Sequence, residues 1–357
     1  MASLTETAQV TRRAINYGAI GFVAITILWI VGGFAIDLYK KLNPPPAPPP
    51  TMDFGKIPAI ELPKEAGRPT LQLELPTGVM PEFPDRMRVY EAPTKRSGFL
   101  DPDRAIETAR SLGFIFRPDQ PTETKYVWNN QDALVSKLEM DIVSGHFVLT
   151  RAWQNDPSLL TLSNFGSDQQ VVTVVTNFLK KASLMPDDIS GNERLITYLK
   201  ADAGKLVPTI SLSEADFVQV DFFRNTMEEI DPETKDVVAS YDYYRPDPDR
   251  GLIRAVVSSS KEVGANIVSL EYNYTKVDYS KNGTYPIITG DEAWQELSKG
   301  GGFVTAKSGK LTSIAVRRIR LGYIDAENQR YSMPVYIFLG DQGFTAYVSA
   351  VTGAVLK

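Results

Sequence analysis

His146 is the only histidine in the chain and there is no cysteine, so the chemistry open to the side chains is narrow. Thiol catalysis, disulfides, cysteine-rich zinc sites and paired histidine ligands are excluded. A serine hydrolase would have to take its base from His146, which opens the strand-like apolar run HFVLT. No Gly-x-Ser-x-Gly elbow accompanies it, and the residue reads as a turn or strand-edge histidine. No catalytic residue is expected.

The most conspicuous cluster is YDYYRPDPDRG, residues 241–251. Tyr241, Tyr243, Tyr244 and Arg245 are candidate partner-binding residues, because aromatics and arginine supply the strong points of protein interfaces. The alternative is a strand end whose tyrosines cover the core, followed by an exposed loop. Asp247 and Asp249, even with Glu233, lack the spaced oxygen ligands of a calcium loop, so no metal site is expected. Arg317, Arg318 and Arg320 alternate along a strand. Strict alternation puts Arg318 and Arg320 on one face with Ile314 and Val316, facing solvent or a carboxylated partner. Gly300, Gly301 and Gly302 follow a helix instead of opening one, which is the wrong place for a phosphate cradle. The pairs Glu228–Glu229 and Asp187–Asp188 sit in turn-like contexts, and nothing sets two carboxylates across a cleft as glycoside hydrolysis requires. No cofactor is expected.

The elements that position these residues begin with an anchor. Tyr17–Ile36 reads YGAIGFVAITILWIVGGFAI, and twenty residues at about 1.5 Å each span about 30 Å, a bilayer's hydrocarbon core. Arg12 and Arg13 precede it, Lys40 and Lys41 follow it, and Tyr17 and Tyr39 stand at interfacial positions. A cleaved signal peptide would have a shorter apolar region than this, and Gly33-Phe34-Ala35 makes a poor cleavage site. The short basic N-terminal tail favours the tail inside and the large domain outside. Residues 1–13 are therefore expected as cytoplasmic tail and residues 14–39 as a transmembrane helix in the lipid bilayer.

The net charge is −5, although residues 1–41 are net basic, so the remainder is more acidic than the whole. That balance argues against nucleic acid as a partner. Six prolines between Pro44 and Pro50 predict a polyproline II rod, and residues 40–98 are expected as a proline-rich stalk or linker. Within it, Leu71–Leu75 alternates as a strand does.

From residue 99 the pattern becomes α+β. Asp101-Pro102 caps a helix that places Ala105, Ile106, Ala109 and Leu112 on one face. A second helix follows Ser167, and a third follows Thr289, which stands at capping-box spacing from Glu292. Antiparallel strands follow each helix. Three units are expected, at residues 99–165, 166–283 and 284–357.

The last unit carries TYPIITGDEAWQEL (284–297), a strand ending in Arg320-Leu-Gly-Tyr323, then Met333–Phe338 and Ala346–Val355. This segment resembles a PepSY-type module and the C-terminal part of the YycH/YycI regulatory proteins, which act on the WalK sensor kinase in Gram-positive bacteria. The resemblance covers residues 284–355. It implies an extracytoplasmic, non-catalytic regulatory role and no individual functional residue. The expectation is thus a single-pass protein that binds another membrane or envelope protein. The alternative is an envelope-associated enzyme or a glycan- or ligand-binding accessory module.

Overall fold

The computed structural model describes residues 4–42, 49–63, 67–93, 95–130, 135–156, 158–161, 165–231, 234–259, 266–305, 307–327 and 329–357. Two units are described in turn, residues 1–49 and residues 50–357.

The first unit is one helix, α1 (Leu4–Leu42). Its stretch Ile15–Ile36 has 22 residues and a mean hydropathy of 2.4, long and apolar enough to cross a membrane. The expected polyproline rod falls largely on residues 43–48, outside the described residues.

The second unit is mixed α+β and mostly sheet. It opens with β1 (Thr70–Leu73), β2 (Arg86–Glu91), α2 (Asp101–Ser111), β3 (Lys125–Asn130), β4 (Ser136–Asp141) and β5 (Phe147–Arg151). A helical turn α3 (Ser158–Thr161) and the helix α4 (Asp168–Lys181) lead to β6 (Arg194–Asp202), β7 (Lys205–Pro208) and β8 (Phe217–Phe222). Next come β9 (Met227–Ile230), β10 (Val237–Tyr241), β11 (Tyr243–Tyr244), β12 (Ile253–Ser258), β13 (Ile267–Tyr272) and β14 (Asp278–Pro286). The chain closes with α5 (Gly290–Ser298), β15 (Phe303–Val304), β16 (Ser313–Ile324), β17 (Tyr331–Gly340) and β18 (Thr345–Ser349).

One sheet runs β3-β4-β5-β13-β12-β8-β6-β7 and is antiparallel throughout. Alternation sends Leu138, Leu149, Val220, Ala255 and Leu270 to one core. Ala105 and Ala109 of α2 and Val171, Val175 and Leu179 of α4 fill the same core. Each such Val, Leu or Phe contributes about 1.5–3 kcal/mol by leaving water. Helix α4 starts where the Ser167 side chain accepts from the Gln170 amide, and α5 carries the reciprocal Thr289–Glu292 capping box.

Two expectations are corrected here. The units 99–165 and 166–283 are not separate: β5 pairs with β13, from Ser269 opposite Thr150 to Tyr272 opposite Phe147. Short turns made each meander look self-contained, but a meander's last strand still needs a neighbour for its outer edge. Residues 50–93 are not all linker either. β1 pairs in parallel with β16, β2 pairs with β14 and β17, and Ile57, Val89 and Tyr90 are buried. The strand read at Leu71–Leu75 is present as β1, whereas the frequent prolines hid the six-residue β2, because prolines crowd the turns around it.

The second sheet orders β1-β16-β17-β18-β15, with β2, β11 and β14 joined to it, and α5 packs Ala293 and Leu297 into its core. It is mixed, since β1 and β11 both run parallel to β16. Its long strand corrects the alternation expected for the arginines. A bulge between Val316 and Arg318 adds one residue, so Ile314 and Val316 are buried before it, and Ile319, Leu321 and Tyr323 after it. Arg317, Arg318 and Arg320 are all exposed.

Candidate functional site

The charged groups divide into a buried set and an exposed set. Arg224, just past β8, has no solvent-exposed side-chain surface. Its Nε donates to Asp325 Oδ2 at 2.6 Å, its Nη1 to Asp188 Oδ2 and its Nη2 to the Thr275 carbonyl. The Tyr274 ring lies 4.8 Å from the guanidinium carbon and the Tyr243 ring 5.7 Å. Burial alone would pull this guanidinium down, but the charges of Asp325 and Asp188 outweigh it and hold it well above its ordinary value. Asp188 follows α4, Thr275 follows β13, and Asp325 follows β16 of the other sheet, so one arginine ties both sheets together. Tyr279 of β14 donates to Asp188 at 3.0 Å, and burial pushes its phenol up.

His146 borders this cluster. Its Nε2 is 3.1 Å from Thr275 Oγ1, and burial lowers its ring below the ordinary histidine value despite nearby Glu327 and Asp141. Its ring meets the hydroxyl of Thr275, the same residue whose carbonyl receives Arg224, so it adjoins the junction.

The four candidate partner-binding residues do not form a shared surface. Tyr243 and Arg245 are buried, at 8% and 7% exposure. Tyr243 stacks on Tyr323 at 5.4 Å, and Arg245 donates to the Gly251 carbonyl at 2.5 Å. Tyr244 is half-buried against Tyr347 at 6.2 Å, while Tyr241 meets Tyr323 edge-on at 6.2 Å. The reason is pairing. β11 docks beside β16, with Tyr243 opposite Tyr323, and its side chains become core. Gly322 permits this approach, since a Cβ there would lie 2.6 Å from the Asp242 carbonyl oxygen. Burial raises the Tyr241 phenol, with nearby Glu229 adding to the effect. Asp249 pairs with Lys307 at 3.0 Å, and Glu233 lies outside the described residues. Arg317 pairs with Glu74 and Asp341, and Arg320 with Asp242.

Of the four, Tyr241 borders open space. With Phe83, Asp242, Ile319, Arg320 and Leu321 it lines a groove of ≈ 510 Å³. The groove lies along β16 where strand pairing lapses on that edge: β1 ends opposite Val316 and β11 begins opposite Tyr323.

Beside the groove stands a separate two-stranded hairpin, β9–β10, in which Tyr241 faces Met227 and Ser240 faces Glu228. Met227 and Tyr241 pack onto the second sheet's core, but Ile230, Val237 and Val238 remain 52%, 52% and 60% exposed. Glu228 and Glu229, expected in a turn, lie on β9 and are exposed.

Comparison with known protein families, curated proteins and solved structures finds no match.

The hairpin and groove are what the sequence reading missed. The only signal was Met227–Ile230 and Val237–Tyr241, two short apolar-containing runs around Asp231-Pro232, and the adjacent glutamates masked it. The arrangement can hold an extended chain, since it offers unpaired strand edge, apolar side chains and charge together.

Proposed function

We propose that this chain is a single-pass membrane protein whose folded unit, residues 50–357, works outside the cytoplasm by binding another membrane or envelope protein, without catalysing a reaction. The observation that carries this reading is the β9–β10 hairpin, which groups the exposed Ile230, Val237 and Val238 although the two sheets of the same unit bury most of their aliphatic side chains. Exposed apolar side chains grouped on one projecting element mark interaction surfaces. The apolar helix Ile15–Ile36 supports the anchor, and Arg12 and Arg13 before it support an inside tail. The resemblance of residues 284–355 to PepSY and YycH/YycI proteins supports a regulatory role.

Photo-crosslinking in cells tests the reading, with a photoreactive residue replacing Val238 in the full-length chain. A discrete protein adduct is expected. Adducts with lipid or glycan alone would overturn it. Protease treatment of intact cells tests sidedness: cleavage of the large unit is expected, and protection would reverse the assignment.

A further inference from the structure

The β9–β10 hairpin carries more than exposed apolar surface. The sequence from Met227 to Asp242 holds Glu228, Glu229, Asp231, Glu233, Asp236 and Asp242 against a single basic residue, Lys235. Among the described residues, β9 pairs with β10 alone, so its outer edge presents backbone N–H and C=O groups to no strand. Side chains alternate along it. Met227 and Glu229 turn toward Tyr241 and the core, and Glu228 and Ile230 turn away, with Ser240 directly opposite Glu228.

An open strand edge is a template for another strand, and proteins ordinarily blunt it with lysine, proline or a bulge. Here the bulge lies on β10, between Val237 and Ala239, and leaves β9 regular. Carboxylates in place of lysine select among occupants. A second copy presenting the same edge would set Glu228 and Glu229 against their own kind, and like charges across a strand pair are unfavourable. An anionic lipid surface is repelled in the same way. A segment bearing Lys or Arg gains on both counts.

We propose that the outer edge of β9 receives an extended, basic segment of the partner protein as an added antiparallel strand. Cationic residues of that segment lie beside Glu228 and an apolar one lies beside Ile230. Four residues of β9 offer about 13 Å of edge, enough for one short strand. This rests on the partner-binding reading above and adds the partner's chemistry and the mode of contact.

The test uses the full-length chain in phosphatidylcholine nanodiscs and three fluorescent seven-residue peptides read by anisotropy. One repeats Lys-Lys-Val-Val so that Lys and Val lie two residues apart on each face, one replaces every Lys by Glu, and one is the Lys peptide with a central Pro. The Lys peptide is expected to bind, with the other two at least tenfold weaker. Glu228→Lys combined with Val238→Lys should reverse the preference between the Lys and Glu peptides, with the unfolding midpoint unchanged. Equal binding of all three, binding of none, or self-association of the chain that the double variant abolishes would each overturn the proposal. The two readings fail separately. Protein adducts in cells without peptide selectivity would end the basic-strand proposal alone. Selectivity in nanodiscs with only lipid or glycan adducts in cells would end the cellular reading.

Discussion

The Arg224 junction and the β9–β10 hairpin are both rich in carboxylates, yet they treat them in opposite ways. At the junction, Asp188 and Asp325 close on one arginine with no exposed side-chain surface, and Tyr274, Tyr279 and the Thr275 carbonyl complete the shell. At the hairpin, Glu228, Glu229 and Asp236 stand exposed along a strand pair outside both sheets. A buried charge must be matched inside the molecule, because leaving water is expensive. An exposed one keeps its hydration and stays available to a partner. The first region spends its charge on holding the fold together, and the second presents charge to the outside.

The largest effect comes from breaking the junction. Arg224→Met leaves Asp188 and Asp325 without their counter-charge and should cost about 3–5 kcal/mol, read by denaturant unfolding of the full-length chain. A loss below about 1 kcal/mol, the usual value of an exposed pair, would erase the contrast between the regions.

A smaller effect belongs to His146. Its ring lies below the ordinary value of 6.5 when folded, so as pH falls through about 6.5 the unfolded chain takes the proton first. The contribution to stability is present above that window and is lost as pH falls toward the folded value. His146→Gln should flatten this part of the pH–stability curve, and an unchanged slope would show that burial does not hold the ring below its ordinary value.

The smallest effect is expected at the hairpin. Glu228→Gln should move stability by less than about 0.5 kcal/mol, as surface substitutions do. A loss comparable to that of Arg224→Met would mean that this carboxylate is part of the fold's own charge pairing.

The three long helices of the folded unit were legible because each carries a local start signal and a single apolar face: Pro102 in the first turn, Ser167 as cap, and Thr289 with Glu292. Their order, followed by antiparallel strands, was legible for the same reason. The junction was not, since Arg224 meets partners 36, 51 and 101 residues away, and no local spacing encodes such a meeting. The bulge after Val316 was hidden because consecutive Arg317 and Arg318 look the same whichever of them is the extra residue. Tyr243 and Arg245 misled because aromatics and arginine serve a core and an interface by the same physics. Only the pairing of β11 with β16 decides between them, and that partner strand lies 80 residues away.

That long-range pairing also bears on how the protein is made. Thr70 waits for Ser313, Tyr90 for Ser332, and Ile57 for Leu356, whose neighbour Lys357 donates to the Ile57 carbonyl at 2.9 Å. A chain synthesised from its N-terminus at about 5–20 residues per second keeps these early residues waiting for those partners for roughly 12–60 s. Until β16 and β17 have emerged, the second sheet has edges but no centre, and the nascent chain depends on whatever shields β1 and β2 in that interval.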